Sequence, residues 1–194
     1  MQTNLGKKLI FIRHAPVVSD GLFYGSRDIQ CRNLTVAEVE NIKEILPAEF
    51  KLFVSSAARC VKTASYLFPR VRSLQFDALR EQDFGSWEGV PFEKIPNIGS
   101  LSLEELAEYR PVKGESFNEM SKRVNVAIDE ILEKTDSEGP SIIIAHAGTI
   151  RAVLSKLIGK SALSFQFDNL SLSELIFLND GIVINYLNLS LIHI

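Results

Sequence analysis

Two short apolar runs, each ending in a histidine, constrain this chain more than any other feature. Leu9-Ile10-Phe11-Ile12 leads into Arg13-His14-Ala15, and Ser141-Ile142-Ile143-Ile144-Ala145 leads into His146-Ala147-Gly148-Thr149. Continuous β-branched and aromatic runs of this length read as strands of a parallel sheet buried on both faces. In an open α/β sheet, ligands bind in the crevice beyond the carboxyl ends of the strands. The chain has three histidines and places two at that edge, one behind an arginine and one ahead of a helix; His193 lies in the terminal tail. A histidine at a strand end also serves as a plain hydrogen-bonding cap. Two of them beside Arg13 make a clustered polar site the better reading.

The rest of the chain alternates strand and helix. Strands are predicted at 8–12, 51–54, 141–145, 172–178 and 182–189, and the last two flank Asn179-Asp180-Gly181, whose Asp-Gly step signals a hairpin. Thr35 with Glu38, Ser102 with Glu105, and Ser116 with Glu119 each form a capping-box pattern. After Ser116, Phe117, Met120, Val124, Ala127, Ile128, Ile131 and Leu132 fall on one face at period 3.6, which reads as core. Further helices are predicted over 57–68 and 149–158. The pattern predicts an α/β fold, a three-layer α/β/α sandwich with a mostly parallel sheet and an antiparallel edge. Its length suits one domain over 1–194, with 91–113, which carries Pro91, Pro96 and Pro111, as an inserted lid or substrate segment.

Composition narrows the partners. Net charge is −3, and no Lys/Arg stretch is long enough for a nucleic-acid footprint, so no nucleic acid is expected. No segment approaches a membrane span. Cys31 and Cys60 make neither a disulfide framework nor a metal spacing, so a reducing, cytoplasmic setting is expected, with no metal and no cofactor. A small anionic metabolite held by a few placed arginines fits this balance, and a homodimer is left open.

Five ordered pieces carry a resemblance. They are Arg13-His14-Ala15; Val54 to Ala64 with Arg59 and Thr63-Ala64; Leu79 to Gly89 with Glu81; Lys113-Gly114-Glu115-Ser116; and Ile142 to Val153 with His146 and Arg151. Together they resemble the histidine phosphatase superfamily, which has the phosphoglycerate-mutase-like fold. The resemblance implies a phosphoryl-transfer enzyme with His14 as nucleophile, Glu81 as acid and base, and Arg13, Arg59 and His146 binding phosphate. The chemistry suits those residue types. Arginine forks match phosphate oxygens bidentately, and imidazole can attack phosphorus with one nitrogen while a backbone carbonyl holds the other. A carboxylic acid can protonate the leaving oxygen and then activate water.

Pro16 shortly after His14, followed by Tyr24-Gly25-Ser26-Arg27-Asp28, resembles the α-ribazole phosphatase type of the family. That makes Phe23, Tyr24 and Gly25 candidate substrate-binding residues. The two rings either stack on a flat base or pack the loop onto the sheet. The implied activity is hydrolysis of an α-ribazole-5′-phosphate-like monoester from cobalamin synthesis. The alternatives are a broad-specificity small-metabolite phosphatase, a phosphoglycerate-mutase-like enzyme, and a non-catalytic phospho-ligand binder. Three departures stand out: Ala15 replaces a glycine and would be strained in a left-handed backbone; Ser56-Ala57 replaces Pro-Leu; and Ile29 to Asn33 lacks a proline-leucine pair.

Overall fold

The first apolar run forms β1 (Lys7–Arg13), with Leu9 and Phe11 packed to one side of the sheet and Ile10 and Ile12 to the other. The other strands are β2 (Lys51–Ser55), β3 (Ser73–Phe76), β4 (Ser141–Ala145), β5 (Leu172–Phe177) and β6 (Ile182–Leu189). This computed structural model describes residues 6–19, 21–135 and 139–190, so His193 lies outside the described residues. The strand order is β3-β2-β4-β1-β5-β6. Pairings are parallel from β3 through β1 and antiparallel from β1 through β6. The antiparallel edge comes from the expected hairpin, closed by Leu178 N–H to the Gly181 carbonyl at 2.8 Å.

Helices α1 (Val36–Glu44) and α2 (Ala58–Leu67) cover one face of the sheet. The other face carries α3 (Leu103–Glu108), α4 (Phe117–Lys134) and α5 (Ala147–Ile158). The result is an α/β fold with helices on both faces of a mixed six-stranded sheet. All three capping boxes form, at Thr35/Glu38, Ser102/Glu105 and Ser116/Glu119. Among the described residues, no helix is long and apolar enough to cross a membrane.

Two elements differ from expectation. Strand β3 has no apolar run to announce it, because it is a four-residue edge strand whose Leu74 is 43% exposed. Helix α5 begins two residues early, at Ala147, with His146 itself in the N-cap position. The 91–113 segment folds against the body. Leu22 bridges to Pro91, Ala107 is fully buried, and the Arg110 side chain donates to the Gly114 carbonyl at 2.8 Å.

Ser116 accepts from the Glu119 N–H at 3.2 Å while Glu119 accepts from the Ser116 N–H at 2.8 Å, so two orphan donors at the start of α4 are met reciprocally. Ser116→Ala should therefore lower unfolding free energy by about 1 kcal/mol in a urea titration. An unchanged midpoint would mean that α4 is held by packing alone.

Candidate active site

The parallel register pairs Arg13 with Ala145, so β1 and β4 end side by side. The chain leaving them is tied by His14 N–H to the Ala145 carbonyl at 3.0 Å. That register brings the two histidines together, edge to face, with ring centroids 5.1 Å apart. Both are almost fully buried.

Arg59, on the first turn of α2, is fully buried between them. Its Nε donates to His14 Nε2 at 3.2 Å, and its Nη2 donates to His146 Nδ1 at 3.1 Å. An arginine has no acceptor, so each of these ring nitrogens must present a lone pair. This fixes both tautomers. His14 carries its proton on Nδ1, donated to the Ala15 carbonyl at 2.7 Å, and His146 carries its proton on Nε2, donated to Ser55 Oγ at 2.9 Å. Burial, then the Arg59 charge, hold both histidines well below their ordinary pKa. The rings are therefore neutral, and two lone pairs converge on one guanidinium. The Cys60 thiol, pushed up to about 12 by burial, packs neutral against His146.

The fork of Arg59 is aimed by carbonyls, since its Nη2 donates to Gly25 at 2.6 Å and its Nη1 to Arg27 at 2.9 Å. The Gly25–Arg27 turn is in turn held by Glu88, which accepts from the N–H groups of Ser26 at 2.8 Å and Arg27 at 2.7 Å. A Cβ on Gly25 would fall 2.1 Å from the Gln82 carbonyl oxygen, so only glycine lets this turn approach so closely. Arg13 donates through Nη1 to the Phe167 carbonyl at 2.5 Å, and its buried Nε has no partner. Asn169 anchors the other side of the His14 loop by donating to the His14 carbonyl at 2.8 Å.

Arg13, His14, Tyr24 and Glu81 line a cleft of about 470 Å³ with Phe84, Phe92, Phe117, Leu163, Phe167 and Arg151 in its walls. A side pocket of about 190 Å³ continues from it under the 91–113 segment, lined also by Trp87, Ile98, Leu106 and Tyr109. A larger apolar groove of about 640 Å³ lies at the far end of α2 and holds none of these groups, so size alone does not mark the site. Glu81 accepts from the N–H groups of Gln82 at 3.0 Å and Gly148 at 3.1 Å. The first-turn amide of α5 thus serves the carboxylate. Among the described residues, no cluster of three or more His, Cys, Asp or Glu side chains is placed to hold a metal ion.

The structure brings Arg13, His14, Arg59, Glu81 and His146 to one place. It separates the three loop residues. Phe23 packs edge-on against Phe84 at 4.9 Å and Phe92 at 5.4 Å between centroids, and does not line the cleft. Tyr24 lines the cleft, but its ring also lies 5.5 Å from the Arg59 guanidinium carbon, a cation–π distance. Gly25 acts through its carbonyl. Glu88 and Arg151 lie within the pieces that carry the family resemblance but are not singled out there as binding residues, and Ser55 and Asn169 are not legible at all, because their partners are distant in sequence and meet only in the fold.

The sequence pattern of the histidine phosphatase superfamily (branch 1) matches residues 9–190. The chain belongs to that superfamily. It is 30% identical over 135 residues to the 6-phosphofructo-2-kinase/fructose-2,6-bisphosphatase of Gallus gallus; the match takes in 68% of this chain and only 27% of that enzyme. Its fold matches the alpha-ribazole phosphatase of Shigella flexneri at a TM-score of 0.76 and 22% identity, over 93% of this chain and 96% of that one. It also matches a mycobacterial glucosyl-3-phosphoglycerate phosphatase at 0.80 and 20%, over 95% and 100%.

Two departures from the histidine phosphatase pattern are resolved structurally. Among the described residues, only Lys113, Leu170 and Asn188 are non-glycine residues with positive φ, so Ala15 carries no left-handed strain. Its N–H is met by Thr63 Oγ1 at 3.0 Å. At Ser56-Ala57 the N-cap side chain is missing from α2, and Asp28 replaces it by accepting from the Ala58 N–H at 2.9 Å.

Gly148→Ala is expected to displace the Glu81 carboxylate, since the new Cβ would lie 2.0 Å from its Oε1. Phosphatase assays should show a loss of about ten-fold or more against an alkyl phosphate; full activity would show that the carboxylate tolerates the shift. Stability should also fall in acid. The two histidines have lowered folded-state pKa values, so below an unfolded value near 6.5 the unfolded chain takes up protons that the native state refuses. Each histidine then costs up to about 1.4 kcal/mol per pH unit. Denaturation between pH 7 and 5 should show this slope, and His146→Asn should remove about half of it. A flat profile would contradict neutral rings.

Proposed function

We propose that this chain is a phosphomonoester hydrolase working through a phosphohistidine on Nε2 of His14. The observation that carries this is the convergence of His14 Nε2 and His146 Nδ1 on the Arg59 fork, with His14 opening onto a cleft that also holds Arg13 and Glu81. In the first step the His14 lone pair forms a nitrogen–phosphorus bond as the ester oxygen leaves with a proton from Glu81. The Ala15 carbonyl steadies the Nδ1 proton as the ring gains charge. In the second step Glu81 takes a proton from water, whose oxygen attacks phosphorus. His14 then leaves neutral and inorganic phosphate is released. Arg13 and Arg59 stabilise charge on the equatorial oxygens, while the neutral His146 helps orient the Arg59 fork through Nδ1. On this reading the charge is supplied by arginines, and catalysis needs no metal.

For the leaving group, a flat heteroaromatic riboside of the α-ribazole type fits best. The support is the Tyr24-Gly25 loop pattern, the aromatic cleft with its side pocket, and the fold shared with the Shigella alpha-ribazole phosphatase. Stacking belongs to Phe84, Phe92 and Phe117 rather than to Phe23. One observation favours a second reading, a phosphorylated hydroxy acid. Arg151 donates Nε to the Phe165 carbonyl, forms no ion pair among the described residues, and faces the cleft with its pKa lowered by burial. Such a cation would welcome a carboxylate on the substrate. The buried free thiols of Cys31 and Cys60 support a reducing, cytoplasmic setting.

Hydrolysis of p-nitrophenyl phosphate should persist in EDTA and leave an acid-labile, base-stable phosphoenzyme that His14→Ala abolishes. Loss in chelator with recovery on added metal would overturn the mechanism. In kcat/KM, which reports transfer to His14 and not the hydrolysis step shared by all substrates, Glu81→Gln should slow alkyl phosphates by about 10²–10⁴-fold and nitrophenyl phosphate far less. Between substrates, the α-ribazole reading expects a heteroaromatic riboside phosphate to exceed glycerol phosphate in kcat/KM by about ten-fold, as one stacked ring would give. A preference for phosphoglycerate or phosphoserine, lost in Arg151→Leu, would establish the second reading instead.

A further inference from the structure

Glu81 sits on a segment with almost no regular structure of its own, yet its backbone carbonyls are nearly all bonded. One side chain does most of this. Arg123, on α4, donates Nη1 to the carbonyls of Ala78 and Arg80, both at 2.8 Å, and Nη2 to the carbonyl of Glu81 at 3.1 Å. Its two remaining N–H bonds go to Glu115, from Nε at 3.0 Å and from Nη2 in a shorter contact. All five guanidinium donors are therefore used, three of them on the backbone around the acid. Glu115 completes the hold, since its Oε1 accepts from the Asp83 N–H at 3.0 Å and its carbonyl accepts from Gln82 Nε2 at 2.9 Å.

We infer that Arg123, oriented by Glu115, is a positioning residue for the general acid. It sets where the Glu81 carboxylate stands relative to the leaving oxygen, and it touches neither substrate nor phosphate. The inference rests on the reading of Glu81 as the acid. The geometry explains why an arginine is needed. The carbonyls of Ala78, Arg80 and Glu81 point at different edges of one planar fork, a spread that the single ammonium of lysine cannot span. Among the described residues, the carboxylate itself is bonded only to the N–H groups of Gln82 and Gly148, one of which belongs to the same segment. A segment that drifts therefore takes the acid with it, and a small misplacement of a catalytic group is costly.

The test is a leaving-group series on Arg123→Lys, which keeps a charge opposite Glu115, with Arg123→Ala alongside and thermal melting of each. The expected result for Arg123→Lys is a loss of about ten- to hundred-fold in kcat/KM toward an alkyl phosphate, since kcat/KM reports transfer to His14 and not the hydrolysis step common to all substrates. Nitrophenyl phosphate, whose leaving group needs little protonation, should lose no more than about three-fold. In a Glu81→Gln background the same substitution should cost the alkyl phosphate nothing further, because the acid it positions is already gone. Equal losses on both substrates, additive losses in the Glu81→Gln background, or wild-type behaviour of Arg123→Lys would each overturn the positioning role while leaving Glu81 its own. Absence of leaving-group dependence in Glu81→Gln itself would instead overturn the acid assignment, and the clamp with it.

Discussion

A fully buried guanidinium held by carbonyls and imidazoles, with no carboxylate in an ion pair among the described residues, is the constraint around which this protein is arranged. An isolated buried cation is costly unless every donor is directed. Arg59 directs four of its five donors, to the Gly25 and Arg27 carbonyls and the lone pairs of His14 and His146. The consequence is electrostatic. In the proposed function, a positive charge left without an anionic partner, between two neutral rings, is what a dianionic phosphoryl group would meet.

The parallel sheet supplies only part of this. It fixes Arg13, His14 and His146 through the β1–β4 register, and it delivers Arg59 through the turn from β2 into α2. Everything else hangs on loops, and those loops are fastened by charged side chains used as backbone ligands. Glu88 holds the Ser26–Arg27 turn, Asp28 caps α2, and Arg123 with Glu115 holds the segment of Glu81. Asp28 is exposed while Arg123 and Glu115 are partly buried, and in each case a hydrogen bond to an ionised group is stronger than one between neutral groups. The loops can then be irregular in path and still fixed in position.

That division explains what could be read from the amino-acid sequence. Apolar runs and capping boxes are local signals, so five strands, all three boxed helices and the two histidines at one sheet edge were legible. The parts held by distant polar contacts were not. Strand β3 is short, exposed and lacks an apolar run. The exchange of capping duty from Ser56-Ala57 to Asp28 links residues thirty positions apart. Tyr24 and Phe23 are adjacent in sequence, yet one covers Arg59 and the other packs among Phe84, Trp87 and Phe92. Period and propensity cannot separate such neighbours, because the difference is made by what each ring meets. A substitution at Tyr24 should accordingly disturb the setting of Arg59 as well as any stacking wall.

The most direct measurement of the account is calorimetric titration of orthovanadate into the wild-type protein and Arg59→Lys. Lysine keeps the charge but cannot reach both histidines and both carbonyls at once. The account predicts vanadate affinity lower in Arg59→Lys by about a hundred-fold, near 2.7 kcal/mol, in a protein whose melting shows it folded. Binding within about three-fold of wild type would contradict it, and would show that the anion is held by Arg13 and the histidines without the buried fork.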